Sequence, residues 1–356
     1  MVTLAQIGCG YWGPNLLRNF LAHRDVRVKF VAEVSRERRR QVEENFRGVV
    51  AIEDYRRILD DRETSAVVVA TDAGSHFAVV KEVLEAGKDC FVEKPLATSV
   101  PEAEELCRIA EKLGRILMVG HVFLYNDAVR TLKQLLDRGE IGETYYVHAQ
   151  RLNLGIVRRD VNVMWSLAPH DVSILLYLLG SKATAITAHG VSYLQPNVED
   201  VVYMHLTFEH GVSAHIHLSW LDPSKTRRMT LVGSRKMIVY DDAAEAKIQI
   251  YDKGIDRHRP PIAMEKFTDF GEFQLIQRAG DIVMPKIEFR EPLRSEISHF
   301  MQCVTERTKP LSDGRFGLEV VKILEAAEIS LHGRRPLPEL LDAQAHTSAT
   351  LMAPSR

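Results

Sequence analysis

Two motifs, far apart in the chain, carry the side chains with the clearest chemical use. The first is Gly8-Cys9-Gly10-Tyr11-Trp12-Gly13, and the second is Glu93-Lys94-Pro95. Glycines at the first spacing let a backbone turn approach a pyrophosphate. A lysine ammonium can stabilise the alkoxide that develops when a hydroxyl loses its proton. Together the two motifs predict hydride transfer between a dinucleotide and a carbinol.

The glycine motif lies between an apolar run at Val2–Ile7 and a segment, Pro14–Ala22, that has one apolar face. This order predicts a strand, a tight turn and a helix. Gly8 suits the turn, Gly10 the approach to the pyrophosphate, and Gly13 the packing of helix on strand. The free N–H groups at the start of a helix also attract phosphate. A glycine-rich turn without a ligand is the alternative.

The contact with the adenosine ribose has two candidate positions. Glu33 lies about 20 residues after the last glycine, where a carboxylate accepts a hydrogen bond from the ribose 2′-hydroxyl of NAD. The predicted strand, however, ends at Ser35, and a serine followed by Arg36 suits the 2′-phosphate of NADP. We therefore predict NAD or NADP as the cofactor, with NADP accepted at least as well as NAD.

Lys94 follows a predicted strand, so it lies at the carboxyl edge of the sheet, where doubly wound proteins bind ligands. Pro95 takes no part in strand pairing and is a candidate for a cis peptide bond that directs Lys94. Polar side chains near the ends of neighbouring strands, Thr71, His76 and His121, favour a site over a surface lysine. The predicted cofactor contacts are Gly8, Gly10, Tyr11, Trp12, Gly13, Glu33, Ser35, Arg36, Thr71, His76, Glu93, Lys94 and His121.

A second group of candidates lies in Trp165-Ser166-Leu167-Ala168-Pro169-His170-Asp171. His170 is predicted to open an apolar helix, Pro169–Leu179, whose positive dipole end favours neutral imidazole. Neutral imidazole is the form that a general base needs. A buried structural histidine is the alternative for His170, and a helix cap is the competing role for Asp171.

Alternating strands and helices must position the first motifs. Apolar runs separated by amphipathic segments and glycines indicate a parallel, doubly wound sheet, and we assign residues 1–122 to this α/β Rossmann domain. The predicted strands are Val2–Ile7, Val28–Val34, Ala66–Ala70, Cys90–Val92 and Ile116–Val119, and the predicted helices are Pro14–Ala22, Arg36–Phe46, His76–Ala86 and Pro101–Leu113.

After Gly120-His121 the pattern changes to alternating, strand-like segments. They predict an α+β domain at residues 123–342, built on a large, mostly antiparallel open sheet with Pro169–Leu179 lying against it. The predicted strands are Thr144–Arg151, Ala183–Tyr193, Val201–Phe208, Ser213–Ser219, Arg228–Val232 and Lys236–Tyr240, and further helices are predicted at Asp127–Arg138, Leu293–Arg307 and Phe316–His332. Tyr251–Pro292 is predicted to be irregular with an exposed loop at Arg257–Pro261, and residues 343–356 to be a flexible tail.

Length and composition exclude several classes of protein. The 356 residues suffice for two domains, and 46% hydrophobic with 26% charged residues is typical of a soluble globular chain. A net charge of −2 provides no basic field for nucleic acid or an anionic membrane. Four cysteines without a CxxC pair fit a reduced, cytoplasmic protein, and no segment approaches the roughly 18–20 apolar residues that span a bilayer. We predict no metal, nucleic-acid or membrane partner.

These motifs carry a family resemblance. The glycine fingerprint, Glu93-Lys94-Pro95, Gly120-His121 with Asn126, and His170 resemble the glucose–fructose oxidoreductase, inositol dehydrogenase and rhizopine-catabolism family (Gfo/Idh/MocA), over nearly the whole chain. The resemblance implies a Rossmann domain joined to a domain with an open, largely antiparallel sheet. It also implies that Lys94 contacts the reacting hydroxyl and the cofactor, that His170 is the base, and that the chain forms homodimers or homotetramers.

A narrower resemblance involves Arg151-Leu152-Asn153-Leu154-Gly155, Asn162 and the segment from Trp165 to Asp171. It is to the branch that oxidises the 3-hydroxyl of UDP-linked N-acetylhexosamines or their uronic acids. Polar strand ends remain the alternative for Arg151 and Asn153, and Ser166 departs from the aspartate that sugar dehydrogenases of the family often have there. The substrate contacts that the resemblance implies are Lys94, Arg151, Asn153, Asn162, Trp165, His170 and Asp171.

The predicted activity is therefore that of an NAD(P)-dependent dehydrogenase that reversibly oxidises a secondary alcohol. His170 takes the hydroxyl proton, Lys94 hydrogen-bonds the same oxygen, and the hydride passes to the nicotinamide. A free-sugar or inositol dehydrogenase is the alternative for the substrate, and an NAD-dependent glycosidase or a non-catalytic dinucleotide sensor for the class. Alternating positions along one strand allow self-association through the sheet: Val201, Tyr203, His205 and Leu206.

Overall fold

The computed structural model describes residues 1–155, 157–159, 161–255 and 277–333. The first of its two sheets has the strands β1 (Val2–Ile7), β2 (Val26–Ala32), β3 (Val50–Ile52), β4 (Ala66–Val69), β5 (Asp89–Glu93) and β6 (Leu117–Gly120). The order β3-β2-β1-β4-β5-β6 and the parallel pairing of all neighbours confirm the doubly wound sheet. The chain crosses over between β1 and β4, so the loops after these strands meet at the topological switch point.

Five helices accompany this sheet. They are α1 (Gly13–Leu21), α2 (Arg36–Asn45), α3 (Arg56–Asp60), α4 (His76–Glu85) and α5 (Val100–Leu113). Every residue of β4 is buried, as expected for a strand covered on both faces. The prediction missed β3 and α3, because three and five residues are too few to show a strand or helix periodicity.

The second sheet is eight-stranded. Its strands are β7 (Thr144–Leu152), β8 (Ala183–Val191), β9 (Val201–Phe208), β10 (Ser213–Ser219), β11 (Thr226–Gly233), β12 (Met237–Asp241), β13 (Ile248–Ile255) and β14 (Gln277–Val283). The order is β14-β13-β12-β11-β7-β10-β9-β8, with β7 and β10 parallel and the other pairs antiparallel, which confirms the mostly antiparallel sheet.

Four further helices are α6 (Asp127–Asp137), α7 (Val163–Leu179), α8 (Pro292–Glu306) and α9 (Gly314–His332). Apolar side chains of α6, α7 and α9 cover one face of the second sheet. The opposite face carries half-exposed aromatic side chains such as Tyr146 and Tyr203. Leu206, predicted on the outward face, is buried in the core, because it alternates with His205 along β9.

The last two helices also pack against the first sheet. The ring of Phe300 in α8 lies 6.3 Å from that of Phe20 in α1 and 5.6 Å from that of Phe91 in β5. Leu318 and Val321 of α9 belong to the core on the other side of the same sheet. The two sheets therefore share helices from the end of the described chain.

The segment predicted to be irregular, Tyr251–Pro292, is not irregular throughout. It contains the end of β13 and all of β14, which pair antiparallel at the edge of the sheet. The predicted loop at Arg257–Pro261 and the predicted tail at 343–356 lie outside the described residues. In the described part of the chain, no helix combines the length and the apolar character that crossing a bilayer requires.

Candidate active site

The glycine loop is shaped by close contacts at two of its positions. Gly8 has a φ of +88°, and a Cβ there would lie 2.7 Å from the carbonyl oxygen of Ala70. A Cβ on Gly13 would lie 3.0 Å from Gln6 Nε2 and from the carbonyl oxygen of Gly8. Around Gly10 the space is open, with only a guanidinium nitrogen of Arg38 at 3.6 Å. The loop is thus closed on the protein side and open on its outer side, as close approach of a pyrophosphate requires.

The two aromatic residues of the loop differ in their surroundings. Tyr11 is 84% exposed and Trp12 40% exposed, and the Trp12 side chain lies close enough to the Glu93 carboxylate to favour its charged form. This electrostatic contact brings together the two motifs singled out in the sequence. Burial raises the pKa of the Glu93 carboxyl to about 7, although Lys94 and Trp12 favour its charged form.

Lys94 lies where the two halves of the site meet. The Lys94–Pro95 peptide bond is cis, and the Lys94 ammonium donates to the carbonyl oxygen of Ser166 on α7, with an Nζ–O distance of 3.0 Å. Burial lowers the pKa of Lys94 to about 8; Glu93 opposes this change, and the guanidinium groups of Arg158 and Arg151 add to it. The Lys94 ammonium can therefore lose its proton at a pH of about 8, only slightly above neutral pH.

Thr71 and His76 support the loop that carries Lys94. His76 is buried, with Nδ1 2.7 Å from the carbonyl oxygen of Pro95 and Nε2 3.3 Å from that of Thr71. The methyl group of Thr71 lies against Gly8, at the switch point. Since the ring of His76 is enclosed, we expect it to position these loops rather than to contact the cofactor directly.

Two histidines near Lys94 are held in the neutral form. His121 is buried, and neither ring nitrogen has a hydrogen-bond partner among the described residues. Burial lowers its pKa to about 3, with a further contribution from Lys94. Burial also lowers the pKa of His170 well below its usual value, and Lys94 and Arg151 add to the effect. A neutral imidazole at His170 is ready to accept a proton.

His170 does not open its helix, and this prediction was wrong. Helix α7 begins at Val163, and its N-cap is Asn162, whose side-chain oxygen accepts from the backbone N–H of Trp165 at 3.1 Å. Pro169 lies inside the helix, so His170 is about two turns from the N-terminus, beyond the reach of the dipole end. Burial and neighbouring cations, rather than the helix dipole, keep His170 neutral.

The capping role considered for Asp171 is also excluded, since Asp171 lies within α7. Both of its carboxylate oxygens accept from Arg151, with N–O distances of 2.7 Å and 3.0 Å. Although burial disfavours the charged form, Asp171 raises the pKa of the Arg151 guanidinium above its usual value. A buried two-point ion pair thus joins β7 to α7 beside His170.

The remaining predicted substrate contacts have partners of their own. Asn162 donates to carboxylates of Glu199 and Glu328, at 2.9 Å and 3.2 Å, and the Trp165 indole N–H donates to Glu328 at 3.1 Å. The bonds to Glu328 fasten the start of α7 to α9, and the bond to Glu199 fastens it to the segment before β9. Asn153 is half-buried just beyond β7, and its backbone N–H donates to the carbonyl oxygen of Ser219.

Three further residues lie in the same region and were not among the residues predicted from the sequence: Phe123, Arg227 and Asp242. The Phe123 ring lies between two side chains of the site, with its centroid 5.1 Å from that of the neutral His170 ring and 4.6 Å from the guanidinium carbon of the charged Arg151. Arg227, paired with Asp242 at 3.2 Å, also acts on His170 by its charge. These positions come from strands and a turn whose local pattern indicates only structure, so no motif marks them.

The predicted ribose contacts also separate in the structure. Glu33 is buried, Ser35 is the N-cap of α2, and Arg36 is the exposed first residue of that helix.

A cavity of about 590 Å³, lined by Lys88 and Arg307 among others, lies at the opposite, amino-terminal edge of the sheet. Within the described residues, no group of three or more His, Cys, Asp or Glu side chains is arranged to hold a metal ion.

Comparisons with known proteins agree with this architecture. Residues 2–121 match the family model for an oxidoreductase family with an NAD-binding Rossmann fold (GFO_IDH_MocA), and residues 129–239 match the GFO/IDH/MocA C-terminal domain. Together the two models match well over half of the chain.

Individual relatives have two kinds of substrate in their names. UDP-N-acetylglucosamine 3-dehydrogenase of Acidithiobacillus ferrooxidans is 29% identical over 73% of this chain and 76% of that protein. The NAD-dependent scyllo-inositol 2-dehydrogenase of Bacillus subtilis is 25% identical over 75% of this chain and 76% of its own length. A crystal structure of the Acidithiobacillus enzyme superposes with a TM-score of 0.76 over 93% of this chain and 98% of that chain, at 23% identity, which shows the shared fold.

Proposed function

Because the chain belongs to the Gfo/Idh/MocA family of NAD-binding oxidoreductases, which act on sugar or polyol hydroxyls, we propose that its substrate is a nucleotide sugar. The proposed reaction is reversible oxidation of the 3-hydroxyl of a UDP-linked N-acetylhexosamine, or of its uronic acid, with NAD or NADP as the hydride acceptor. The 29% identical relative that acts on UDP-N-acetylglucosamine supports this choice.

The observation that carries the proposal is the contact between Lys94 and α7. Ser166, whose carbonyl oxygen accepts from Lys94, is four residues before His170. Lys94 also acts on His170 as a nearby positive charge, so the ammonium and the neutral imidazole lie close together. A cation and a base next to each other are what oxidation of a hydroxyl needs.

Each residue then has one task. His170 accepts the proton of the substrate hydroxyl, and the Lys94 ammonium donates a hydrogen bond to the same oxygen, which stabilises developing alkoxide. The Arg151–Asp171 pair holds β7 and α7 in place around the imidazole. A bound nicotinamide supplies the acceptor for the hydride.

A dinucleotide fits the residues present. The loop after β1 is bare at Gly10 and closely packed at Gly8 and Gly13. Trp12 connects that loop to Glu93, directly before Lys94. The chain's own contacts therefore link the predicted pyrophosphate position to the predicted position of the reacting hydroxyl.

Three arginines place positive charge near the reacting groups. Arg151 and Arg158 act on Lys94, and Arg227 acts on His170, all as positive charges. Arg151 is balanced by Asp171, and Arg227 by Asp242. Since the positive charges of Arg151 and Arg227 are offset within the protein, the choice of a nucleotide sugar rests on the similarity to the UDP-N-acetylglucosamine enzyme.

An inositol is the second candidate substrate. The scyllo-inositol dehydrogenase relative matches as much of this chain as the nucleotide-sugar enzyme does, at 25% identity. An inositol offers the same secondary hydroxyl to Lys94 and His170 but has no anionic group.

The test is reduced-nicotinamide absorbance after mixing the purified protein with NAD or NADP and one of four substrates. UDP-N-acetylglucosamine and its uronic acid should give a signal, and myo-inositol and glucose should give none. His170→Gln should reduce the signal by about 10²-fold or more with little effect on dinucleotide binding. A signal with inositol alone, or full activity of His170→Gln, would overturn the proposal.

We also propose that the outward face of the second sheet joins copies of the chain. Tyr203 stacks on His217 with ring centroids 4.3 Å apart, and His205 lies 4.5 Å from His215. Tyr203→Glu should shift the mass measured by light scattering towards the monomer, whereas Tyr193→Glu, at an exposed tyrosine outside the sheet, should not. A monomeric wild-type protein would contradict this proposal.

A further inference from the structure

Glu33, the acidic residue at the predicted adenosine end of the site, uses its carboxylate for hydrogen bonds within the protein. Glu33 is 5% exposed. One of its carboxylate oxygens accepts from the backbone N–H of Cys9 at 2.8 Å, and the other accepts from that of Ser35 at 2.9 Å. The carboxylate thus supports the glycine loop from inside. A carboxylate that selects NAD must instead reach the ribose 2′-hydroxyl.

Ser35 is half-buried and lies at the start of α2, shortly after β2. Its side-chain oxygen caps α2 and accepts from the backbone N–H of Arg38 at 3.4 Å. The start of α2 adds the positive end of a helix dipole. Glu37 is the acidic residue in this first turn, and its spacing from Ser35 directs it to the other side of the helix.

The four arginines that follow do not have equivalent roles. Arg39 is held by the carbonyl oxygens of Glu33 and Val34 and by the Glu53 carboxylate. Arg40 forms an ion pair along the helix with Glu44, at 3.3 Å.

Arg38 is the arginine that faces the cofactor loop. Its Nη1 lies 3.6 Å from the Cβ position of Gly10. The same nitrogen is 4.0 Å from a Glu33 oxygen, which is too long for a hydrogen bond, and the side chain is 53% exposed. Its guanidinium therefore keeps donors for an anion beside the glycine loop.

We infer that Arg38, with Ser35, forms a 2′-phosphate site, and that the chain prefers NADP to NAD. The inference rests on the proposed function, since it assigns a specificity to the same dinucleotide site. A planar guanidinium binds phosphate oxygens at two points, the serine hydroxyl donates one more hydrogen bond, and the start of α2 favours the negative charge.

Binding measurements test the inference without any sugar substrate. Calorimetry should give a dissociation constant at least about tenfold lower for NADP than for NAD, and binding of 2′,5′-ADP tighter than that of 5′-AMP. Arg38→Ala should weaken NADP binding by about tenfold or more and leave NAD binding within about threefold. Ser35→Asp should reverse the preference, because the carboxylate repels a 2′-phosphate and accepts from a 2′-hydroxyl.

The control is Arg40→Ala, which removes an arginine of the same helix that already has a partner; it should change neither dissociation constant. Equal or tighter binding of NAD by the wild-type protein would overturn the inference while leaving the proposed function intact. Equal weakening of both dinucleotides by Arg38→Ala would also overturn it. Failure to bind either dinucleotide would overturn both.

Discussion

The two sides of the active site handle buried charge in different ways. On the side of the second sheet, Arg151 and Asp171 satisfy each other with two hydrogen bonds. On the side of the parallel sheet, Lys94 has a neutral carbonyl oxygen as its partner, and burial shifts the pKa values of Lys94 and Glu93 towards neutrality. Paired charges keep their state and support the structure, whereas weakly compensated ones can respond when a substrate brings new charge. We therefore expect the Arg151–Asp171 pair to stabilise the structure and Lys94 to take part in the reaction.

Removing the weakly compensated cation should have the largest effect. Lys94→Met keeps an unbranched side chain but deletes the ammonium that faces the alkoxide. We expect kcat to fall by about 10³-fold or more, with dinucleotide binding within about threefold. The measurements are steady-state kinetics and calorimetry. Retention of more than a tenth of the wild-type kcat would show that Lys94 is a support rather than a catalytic residue.

Breaking the paired charge should instead destabilise the protein. Asp171→Asn leaves the Arg151 guanidinium buried without its counter-ion, which we expect to lower the free energy of unfolding by about 3 kcal/mol. Urea unfolding followed by circular dichroism measures this. Asp137→Asn is the matched control, because its pair with Lys133 is exposed and should contribute less than about 1 kcal/mol. If the two variants lowered the free energy of unfolding equally, the Arg151–Asp171 pair would stabilise the protein no more than a surface ion pair does.

The pH dependence of kcat/KM should report the weakly compensated side. The pKa of Lys94 is lowered to about 8, and its charged form is active, so activity should be present below that pH and fall about tenfold per unit above it. His170 stays neutral at neutral pH because its pKa is lowered, so His170 should contribute no acidic limb near pH 6.5. Lys94→Arg, if active, should lose the alkaline limb, since guanidinium stays charged. An alkaline limb that persists in this variant would assign it to another group.

A buried carboxyl group near Glu93, that of Glu296, should give the smallest effect. Glu296 of α8 is buried with no hydrogen-bond partner for either oxygen among the described residues, and burial raises its pKa well above 4.5. The unfolded chain releases this proton more readily, so the wild-type protein should lose stability as pH rises above about 4.5.

Glu296→Gln removes this ionisation. The difference in unfolding free energy between variant and wild type should move in favour of the variant by on the order of 1 kcal/mol from pH 5 to pH 7. Thermal melting at both pH values measures it, with Glu291→Gln, a more exposed residue at the start of the same helix, as the control. A difference that stays constant with pH would mean that Glu296 ionises normally.

Local patterns predicted much of the fold and less of the site. Apolar runs located β1 and β4, and the glycine motif located the turn after β1. Pro169 misled the prediction for α7, because proline favours the first turn of a helix, yet tertiary packing here holds it in the interior. Asn162 followed by Trp165 was a cap signal that could have placed the start correctly.

Contacts between distant segments could not be predicted in the same way. The proximity of Trp12 to Glu93 and the Arg151–Asp171 pair depend on how the elements pack, and no local spacing encodes them. Glu33 was predicted to contact the ribose, and its burial, which decides whether it can do so, depends on the backbone N–H groups of Cys9 and Ser35 that bind its carboxylate.

The return of α8 and α9 to the first sheet has a consequence for synthesis of the chain. Phe300 and Val321 complete the hydrophobic layers on the two sides of a sheet whose strands all lie before residue 121. While a ribosome is still making the second sheet, the nucleotide-binding half is exposed with apolar surface on both flanks. We expect this half to wait for the last helices before it becomes fully stable, and to depend on chaperones until then.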